Sequence, residues 1–306
     1  MMKNVLVLGA NGFIGRHLIN NLMLKANVVG YDRMLPNNHV TYPFIQGDFS
    51  VEEKFEELLS SFQIDTIYHL ISSTVPCVGT THAALEIEEN VMPTVKLLEA
   101  MKNAGTKRIV FSSSGGTVYG ELRGYPHKTT DPVKPICSYG LQKVIIEQYL
   151  DLYGQLYDMR CIVARISNPY GVLSLQNRKQ GVIPILLSKL FLRESITIYG
   201  ETVRDYIHIS DVVESLTLLG KYEKEKRIFN IATGTSTSLQ ALLQMLEAIA
   251  ECKFVEIVRQ DIRDCDVWEN ALDISDTIRE LNWCPKVALE EGIKHTFFEM
   301  KKHNFI

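Results

Sequence analysis

The sequence predicts an α/β fold: a Rossmann-type doubly wound parallel sheet carrying a smaller C-terminal α/β lobe. Three observations lead there. Short, continuously apolar runs alternate with helical patterns as far as about residue 165, the rhythm of a parallel sheet with helices on both faces. The first run feeds a glycine-rich turn that opens directly into a helix. After residue 172 the rhythm breaks, and no long parallel set follows.

Asn4-Val5-Leu6-Val7-Leu8 reads as a strand buried on both faces. Gly9-Ala10-Asn11-Gly12-Phe13-Ile14-Gly15 follows, then the helical pattern from Arg16 to Leu22. Strand, glycine turn and helix form the context in which such glycines bring backbone N–H groups up to a pyrophosphate at a helix N-terminus. The alternative is a tight turn whose glycines only permit packing. A second strand, Asn27 to Tyr31, ends at Asp32. An acid at this point accepts from ribose hydroxyls and repels a 2′-phosphate, favouring NAD over NADP, although Arg33 beside it pulls the other way. In Phe44-Ile45-Gln46-Gly47-Asp48-Phe49, Asp48 is either an adenine-edge residue or a turn acid. Glu53 to Ser60 reads as a helix, Thr66 to Ile71 as a strand, Glu88 to Ala104 as a helix and Arg108 to Phe111 as a strand. The helix from Ser138 to Tyr157 and the strand from Arg160 to Arg165 continue the alternation. His69 is expected to be a packed residue at a strand end, without chemistry.

In the second part, Leu173 to Gln180 reads as a loop and Val182 to Leu192 as a helix. Thr197 to Gly200 is a strand leading to Val203-Arg204-Asp205-Tyr206-Ile207-His208. Ser210 and Asp211 are candidate N-caps for a helix from Val212 to Gly220. Ile228 to Ala232 is a buried-type strand that could return to the main sheet, Leu239 to Ala250 a helix and Phe254 to Val258 a strand. Ser275 to Leu281 and Glu290 to His303 finish helically. The division expected is 1–172 for the dinucleotide-binding domain, with a return segment near 205–235, and 173–306 for a ligand-binding lobe. A small molecule would sit in the cleft between them.

The chain of 306 residues is 46% hydrophobic and 22% charged with net charge −4. No basic surplus points to nucleic acid. Lys3, Asn4, Asn11 and Arg16 break up the apolar N-terminus, so neither a signal peptide nor a membrane span is expected. The cysteines at 77, 137, 161, 252, 265 and 284 form no C-x-x-C pair and read as reduced packing residues, which implies a cytoplasmic protein. No metal site is expected.

Ser112-Ser113-Ser114 closes one strand, and Tyr139 and Lys143 stand four apart in the helix that follows. That spacing puts phenol and ammonium on one helix face. A neighbouring cation favours the phenolate, so the Tyr139 pKa is expected to fall towards working pH. A serine hydroxyl at the strand end could bond the same substrate oxygen. Together the groups would move a proton on and off an alcohol. An ordinary helix with a surface Tyr and Lys has the same spacing, and the glycine turn is what favours the chemical reading.

With these residues in place, the chain resembles the extended short-chain dehydrogenase/reductases, and among them the nucleotide-sugar epimerases typified by UDP-glucose 4-epimerase. The residues that carry the resemblance are the first glycine turn, Gly47-Asp48, His69-Leu70, Asn90 before Leu97-Leu98-Glu99-Ala100, and Phe111-Ser112-Ser113-Ser114. It continues through Val118-Tyr119-Gly120, Ser138 to Lys143, Asn168-Pro169-Tyr170-Gly171, Arg204 to His208, and Asp273-Ile274-Ser275 with Leu281 to Pro285. The resemblance implies NAD held by Gly9, Gly12, Phe13, Ile14, Gly15, Asp32, Asp48, Phe49, Leu70, Asn90, Tyr139 and Lys143. It makes Tyr139 the acid/base, Lys143 its electrostatic partner, and Ser114 the holder of the sugar hydroxyl. Counting back 25 residues from Tyr139 selects Ser114 over Ser113. For a nucleotide-sugar substrate it implies Ser114, Asn168, Val182, Tyr199, Arg204, Arg263 and Asn270. It also implies a homodimer, formed through the helices around Val91 to Ala100 and Ser138 to Tyr149.

Three departures from the family pattern stand out: Gly115-Gly116 after the serines, Ile71-Ser72 where alanines are usual, and Asn270 at the position of a pocket gatekeeper. Counted without gaps from Arg263, Asn270 would leave room for a 2-acetamido group. The activity implied is NAD-dependent inversion at C4 of a nucleotide-diphosphate hexose or N-acetylhexosamine through a 4-keto intermediate. The rivals are an NAD(P)H-dependent 4-keto-6-deoxy nucleotide-sugar reductase and a non-catalytic NAD-binding sensor. A 4,6-dehydratase fits less well, because Gly115-Gly116 replace that branch's Asp-Glu pair.

Overall fold

The structure is a computed structural model that describes residues 3–36, 39–51, 53–74, 83–121, 126–172 and 181–302. Cys77, the stretch from Leu173 to Gln180 and His303 lie outside the described residues.

The first strand, β1 (Asn4–Leu8), shows why the sheet has two covered faces. Val5 and Val7 enter one core cluster, and Leu6 and Leu8 enter the other. All four are fully buried, each worth about 2 kcal/mol relative to exposure. Helix α1 (Phe13–Leu22) follows, then β2 (Asn27–Asp32), β3 (Phe44–Gln46), α2 (Phe55–Ser61) and β4 (Thr66–His69). The next helix is not continuous: α3 (Ala83–Glu86) passes through a π-turn (Ile87–Val91) into α4 (Met92–Ala104). Then come β5 (Arg108–Ser114), α5 (Ser138–Tyr157) and β6 (Arg160–Ile166).

These strands form a seven-stranded sheet, closed by a late strand, β10 (Ile228–Ile231). Its order is β3-β2-β1-β4-β5-β6-β10, and every neighbouring pair is parallel. The order reverses between β1 and β4, which opens a crevice at the carboxyl ends of the strands. β1 and β5 therefore deliver Gly9 and Ser114 to one edge.

The remaining elements are β7 (Asn168–Tyr170), α6 (Val182–Phe191), β8 (Ile196–Tyr199), β9 (Val203–His208) and α7 (Ile209–Leu219). β10 (Ile228–Ile231), β11 (Ser236–Ser238), α8 (Leu239–Ala250), β12 (Ile257–Gln260), β13 (Glu269–Asn270), α9 (Ser275–Leu281) and α10 (Leu289–Lys302) complete the chain. β10 joins β6 in the main sheet, and α7 packs its Ile209, Val212 and Leu216 into the core shared with α1. The smaller lobe pairs β9 with β7, β11 and β13, and β8 with β12. Its core lies among α6, α8 and α10.

Two local expectations are corrected. α7 starts at Ile209 and is capped by His208, whose ring nitrogen accepts from the Ser210 N–H at 3.4 Å. Asp211 instead accepts the N–H groups of Lys286 and Val287, both at 3.1 Å, and so ties the tail to the helix. The strand expected from Phe254 to Val258 begins at Ile257, where pairing with β8 becomes available.

Candidate active site

A cleft of about 1180 Å³ runs from the glycine turn, past the end of β5, to β8 and the segment from Arg263 to Val267. At its first end Gly9 adopts φ +85°, a left-handed conformation, and a Cβ there would press on Leu70 and Ile71 backbone at 3.2–3.3 Å. Gly15 is tighter: its Cβ would stand 2.0 Å from the Gly9 carbonyl oxygen. The glycines thus let α1 start directly against β1. Its first-turn N–H groups have no intrahelical acceptor, and Gly12, Phe13, Ile14 and Gly15 line the cleft. The cradle fits a pyrophosphate.

Asp32 ends β2 beside this turn. Its Oδ2 accepts the Asn11 N–H at 3.0 Å and its Oδ1 the Met34 N–H at 3.1 Å. Both oxygens are therefore oriented, and each keeps a lone pair for a ribose hydroxyl. Asp48 also lines the cleft, and its Oδ1 accepts from Ser50 N (3.0 Å) and Oγ (2.7 Å). These bonds hold its carboxyl below the ordinary range. Asp48 is both a turn acid and a wall residue, and Phe49 and Leu70 continue the wall.

Asn90 is brought to the site indirectly. It is buried in the π-turn, a distortion common near functional sites. There its side chain accepts from Ser73 N at 2.9 Å and donates to Ser73 Oγ at 2.7 Å. Asn90 therefore does not line the cleft; it fixes the 72–74 segment that does. His69 is packed as expected, between the rings of Phe49 and Phe111, with Nε2 2.9 Å from Thr94 Oγ1.

Ser114, Tyr139 and Lys143 meet in mid-cleft. Cys137 caps α5 by accepting from the Gly140 N–H, so the helix begins one residue before Tyr139. The ammonium of Lys143 donates to the Ser112 carbonyl at 3.0 Å, 5.6 Å from the Tyr139 ring centre and 4.7 Å from that of Phe111. The expected acidification of the phenol is overturned. Burial pushes Tyr139 up to about 12, opposed by its hydrogen bond with Ser114, and the same burial takes Lys143 down to about 8. Desolvation penalises both charged forms, and it outweighs the Ser114 hydrogen bond at the phenol and the Glu147 charge at the ammonium.

At the far end, Arg204 donates to the carbonyls of Val203, Val267 and Trp268 at 2.6–3.2 Å, and Asn168 to that of Asp205 at 2.9 Å. Arg263 pairs with Asp266 at 2.7 Å and lies 4.7 Å from the Tyr199 ring centre. These four residues and Val182 share the cleft with Ser114, Tyr139 and Lys143. Asn270 does not. It is 1% exposed in β13 and donates to the Gly115 carbonyl at 3.0 Å, so the predicted gatekeeper is a buried strut. Asn270 therefore opens no room for a 2-acetamido group.

Residues 5–232 match the family described as the NAD dependent epimerase/dehydratase family. The chain belongs to that family. Its cofactor is NAD, and the glycine turn and Asp32 fit that group. This family member is 35% identical to the dTDP-4-dehydro-6-deoxyglucose reductase of Escherichia coli over 95% of each chain. Among solved structures, it is similar to the Thermotoga maritima UDP-glucose 4-epimerase with UDP-glucose (TM-score 0.90, 31% identity, 98% of this chain and 99% of that one). It is also similar to the Thermus thermophilus UDP-glucose 4-epimerase in complex with NAD (TM-score 0.89, 27% identity, 97% and 99%).

Several groups that no local sequence pattern marks hold this epimerase/dehydratase-family site together. Asp205, wholly buried, accepts from Thr233 N and Oγ1 and Gly234 N at 2.7–2.9 Å, anchoring β9 behind Arg204. Glu147 and Arg165 form a buried ion pair at 2.6 Å beneath Lys143. Glu147 alone carries a local signal: it lies one helical turn beyond Lys143 on the same face of α5.

Proposed function

We propose that this chain is a 4-epimerase of nucleotide-diphosphate hexoses, with a UDP-hexose as substrate, inverting C4 through a 4-keto intermediate. The observation that carries the reading is the placement of Tyr139 and Ser114 midway along one cleft, between the dinucleotide cradle and the Arg204/Arg263 end. NAD, when bound, supplies the acceptor and later the donor of the C4 hydride. Tyr139 takes the proton of the 4-hydroxyl and returns it, and Ser114 holds the same oxygen. Lys143 lowers the cost of negative charge on the phenol. Arg204 and Arg263 hold the diphosphate, to which a planar guanidinium pairs bidentately. For Arg263 this exchanges the Asp266 carboxylate for a phosphate. Tyr199, backed by the Arg263 guanidinium, offers its ring to the base. Strong binding at the diphosphate and weak binding at the hexose let the keto sugar turn over without leaving.

The second reading is reduction of a 4-keto-6-deoxy nucleotide sugar, favoured by the 35% identity to the Escherichia coli reductase. It uses the same Tyr139, Ser114 and Lys143. Purified protein incubated with UDP-glucose or UDP-galactose, without added cofactor, decides between them. Interconversion supports epimerisation. No interconversion, together with stoichiometric NADH consumption on a dTDP-4-keto-6-deoxyhexose, establishes the reductase.

We infer also that two copies pair through α5. Leu141, Tyr149, Leu152 and Leu156 fall on one stripe of that helix and are exposed, beside Met92 of the neighbouring α4. A self-complementary apolar stripe fits a two-fold partner.

A further inference from the structure

The buried Glu147–Arg165 pair carries more than packing. Glu147 Oε1 accepts from the Ser113 hydroxyl at 2.5 Å, and the carboxylate takes Arg165 through Nε (3.2 Å to both oxygens) and NH2 (2.6 Å to Oε2). Ser113 stands between Ser112, whose carbonyl receives the Lys143 ammonium, and Ser114, which bonds Tyr139. Arg165 continues to the Tyr119 hydroxyl at 2.9 Å, and that hydroxyl donates to Asn230 Oδ1 at 2.7 Å. A carboxylate on α5 thus grips the ends of both β5 and β6 from below.

We propose that Glu147 is a positioning residue for the proton transfer: it fixes the Ser112–Ser114 strand end and supplies the negative charge that keeps the buried Lys143 ammonium protonated. This rests on the reading that Lys143 acts with Tyr139.

The charge balance around Lys143 supports it. On its own helix it faces Tyr139 and Glu147. From β4 it faces His69, which burial and the ammonium itself hold neutral. From β6 comes Arg165, whose charge is spent on Glu147, and from α3 comes Glu86, which is engaged by Ser138 and Gln142. Phe111 of β5 contributes only its ring. Desolvation works against the ammonium, and Glu147 is the group that works for it.

The test is the basic limb of the kcat–pH profile, read with the NAD-loaded enzyme. Glu147→Gln keeps the shape and removes the charge, so the limb should move down by about one pH unit. Arg165→Met leaves the carboxylate to Lys143 and should not lower the limb. Glu147→Gln/Arg165→Met leaves no unpaired buried charge and should again lower it, so this variant decides if Glu147→Gln alone does not fold. Glu147→Asp should recover part of the shift. A limb unchanged in the charge-removing variants, or lowered equally in all of them, Arg165→Met included, overturns the proposal. If none of the variants containing Glu147→Gln folds, lowering by Arg165→Met overturns it, and an unchanged or raised limb supports it. Full activity in Tyr139→Phe and Lys143→Met would sink the underlying reading instead.

Discussion

The Lys143 ammonium lies 5.6 Å from the centre of the Tyr139 ring and spends its hydrogen bond on the Ser112 carbonyl rather than on the phenol oxygen. In this arrangement the phenol stays protonated, at about 12, and the ammonium is the group nearer its titration, at about 8. The cationic nicotinamide of bound NAD is what would add to the ammonium's pull on the phenol.

Replacing Tyr139 by Phe should therefore cost about 10²–10⁴ in turnover. The affinity for NAD should change little, because the glycine cradle and Asp32 are untouched. Steady-state kinetics beside calorimetric NAD titration separate the two effects.

Lys143→Met should abolish turnover without destabilising the fold. The folded chain gives up this lysine's proton near 8 against an ordinary 10.5. Between those values the unfolded chain binds more protons, so this group's contribution is full above 10.5 and lost as pH falls through 8. At pH 7 the variant should be more stable than the parent by up to about 3 kcal/mol, a gain that disappears by pH 10.5. Urea unfolding at both pH values measures it, and equal differences at the two would contradict the burial argument.

Two buried histidines set the acid limit of the fold. Burial takes His69 down to about 3 and His208 down to about 4, from 6.5. Stability should be full above pH 6.5 and fall as pH drops towards 4, by about 3 kcal/mol for His208 alone. His208→Asn keeps a cap for α7 and should flatten that slope in chemical denaturation.

Gly15→Ala would place a Cβ 2.0 Å from the Gly9 carbonyl oxygen. The expected result is loss of NAD binding with destabilisation of about 4 kcal/mol or more, seen together in NAD titration and urea unfolding.

Leu152→Glu/Leu156→Glu should yield a monomer in analytical ultracentrifugation where the parent sediments as a dimer. The exposed α5 stripe is the surface it tests, and a monomeric parent would remove the pairing.

Much of the site could be read in the chain because it is built from local patterns. The turn from Gly9 to Gly15 needs only the residues on either side of it, and the four-residue interval from Tyr139 to Lys143 is fixed by the helix. Of the residues named for cofactor and ligand, those in the cleft run from Gly9 to Arg263. The two that lie off its wall are Asn90, taken from the family resemblance, and Asn270, placed by counting from Arg263. Neither a family pattern nor a count says which way a side chain points: Asn90 turned inward at a π-turn and Asn270 under Gly115. No membrane-spanning helix is present among the described residues.

The sequence alone determined the parallel sheet, the cradle at its first turn and the interval that sets Tyr139 and Lys143 on one helix face, since apolar runs, glycines and helical spacing act over a few residues. Tertiary structure decided the electrostatics. Whether a phenol is acidic, or an ammonium costly, depends on how much water the surrounding strands exclude, and that is settled only when β4, β5, β6 and α5 close around Lys143 with Glu147 beneath it.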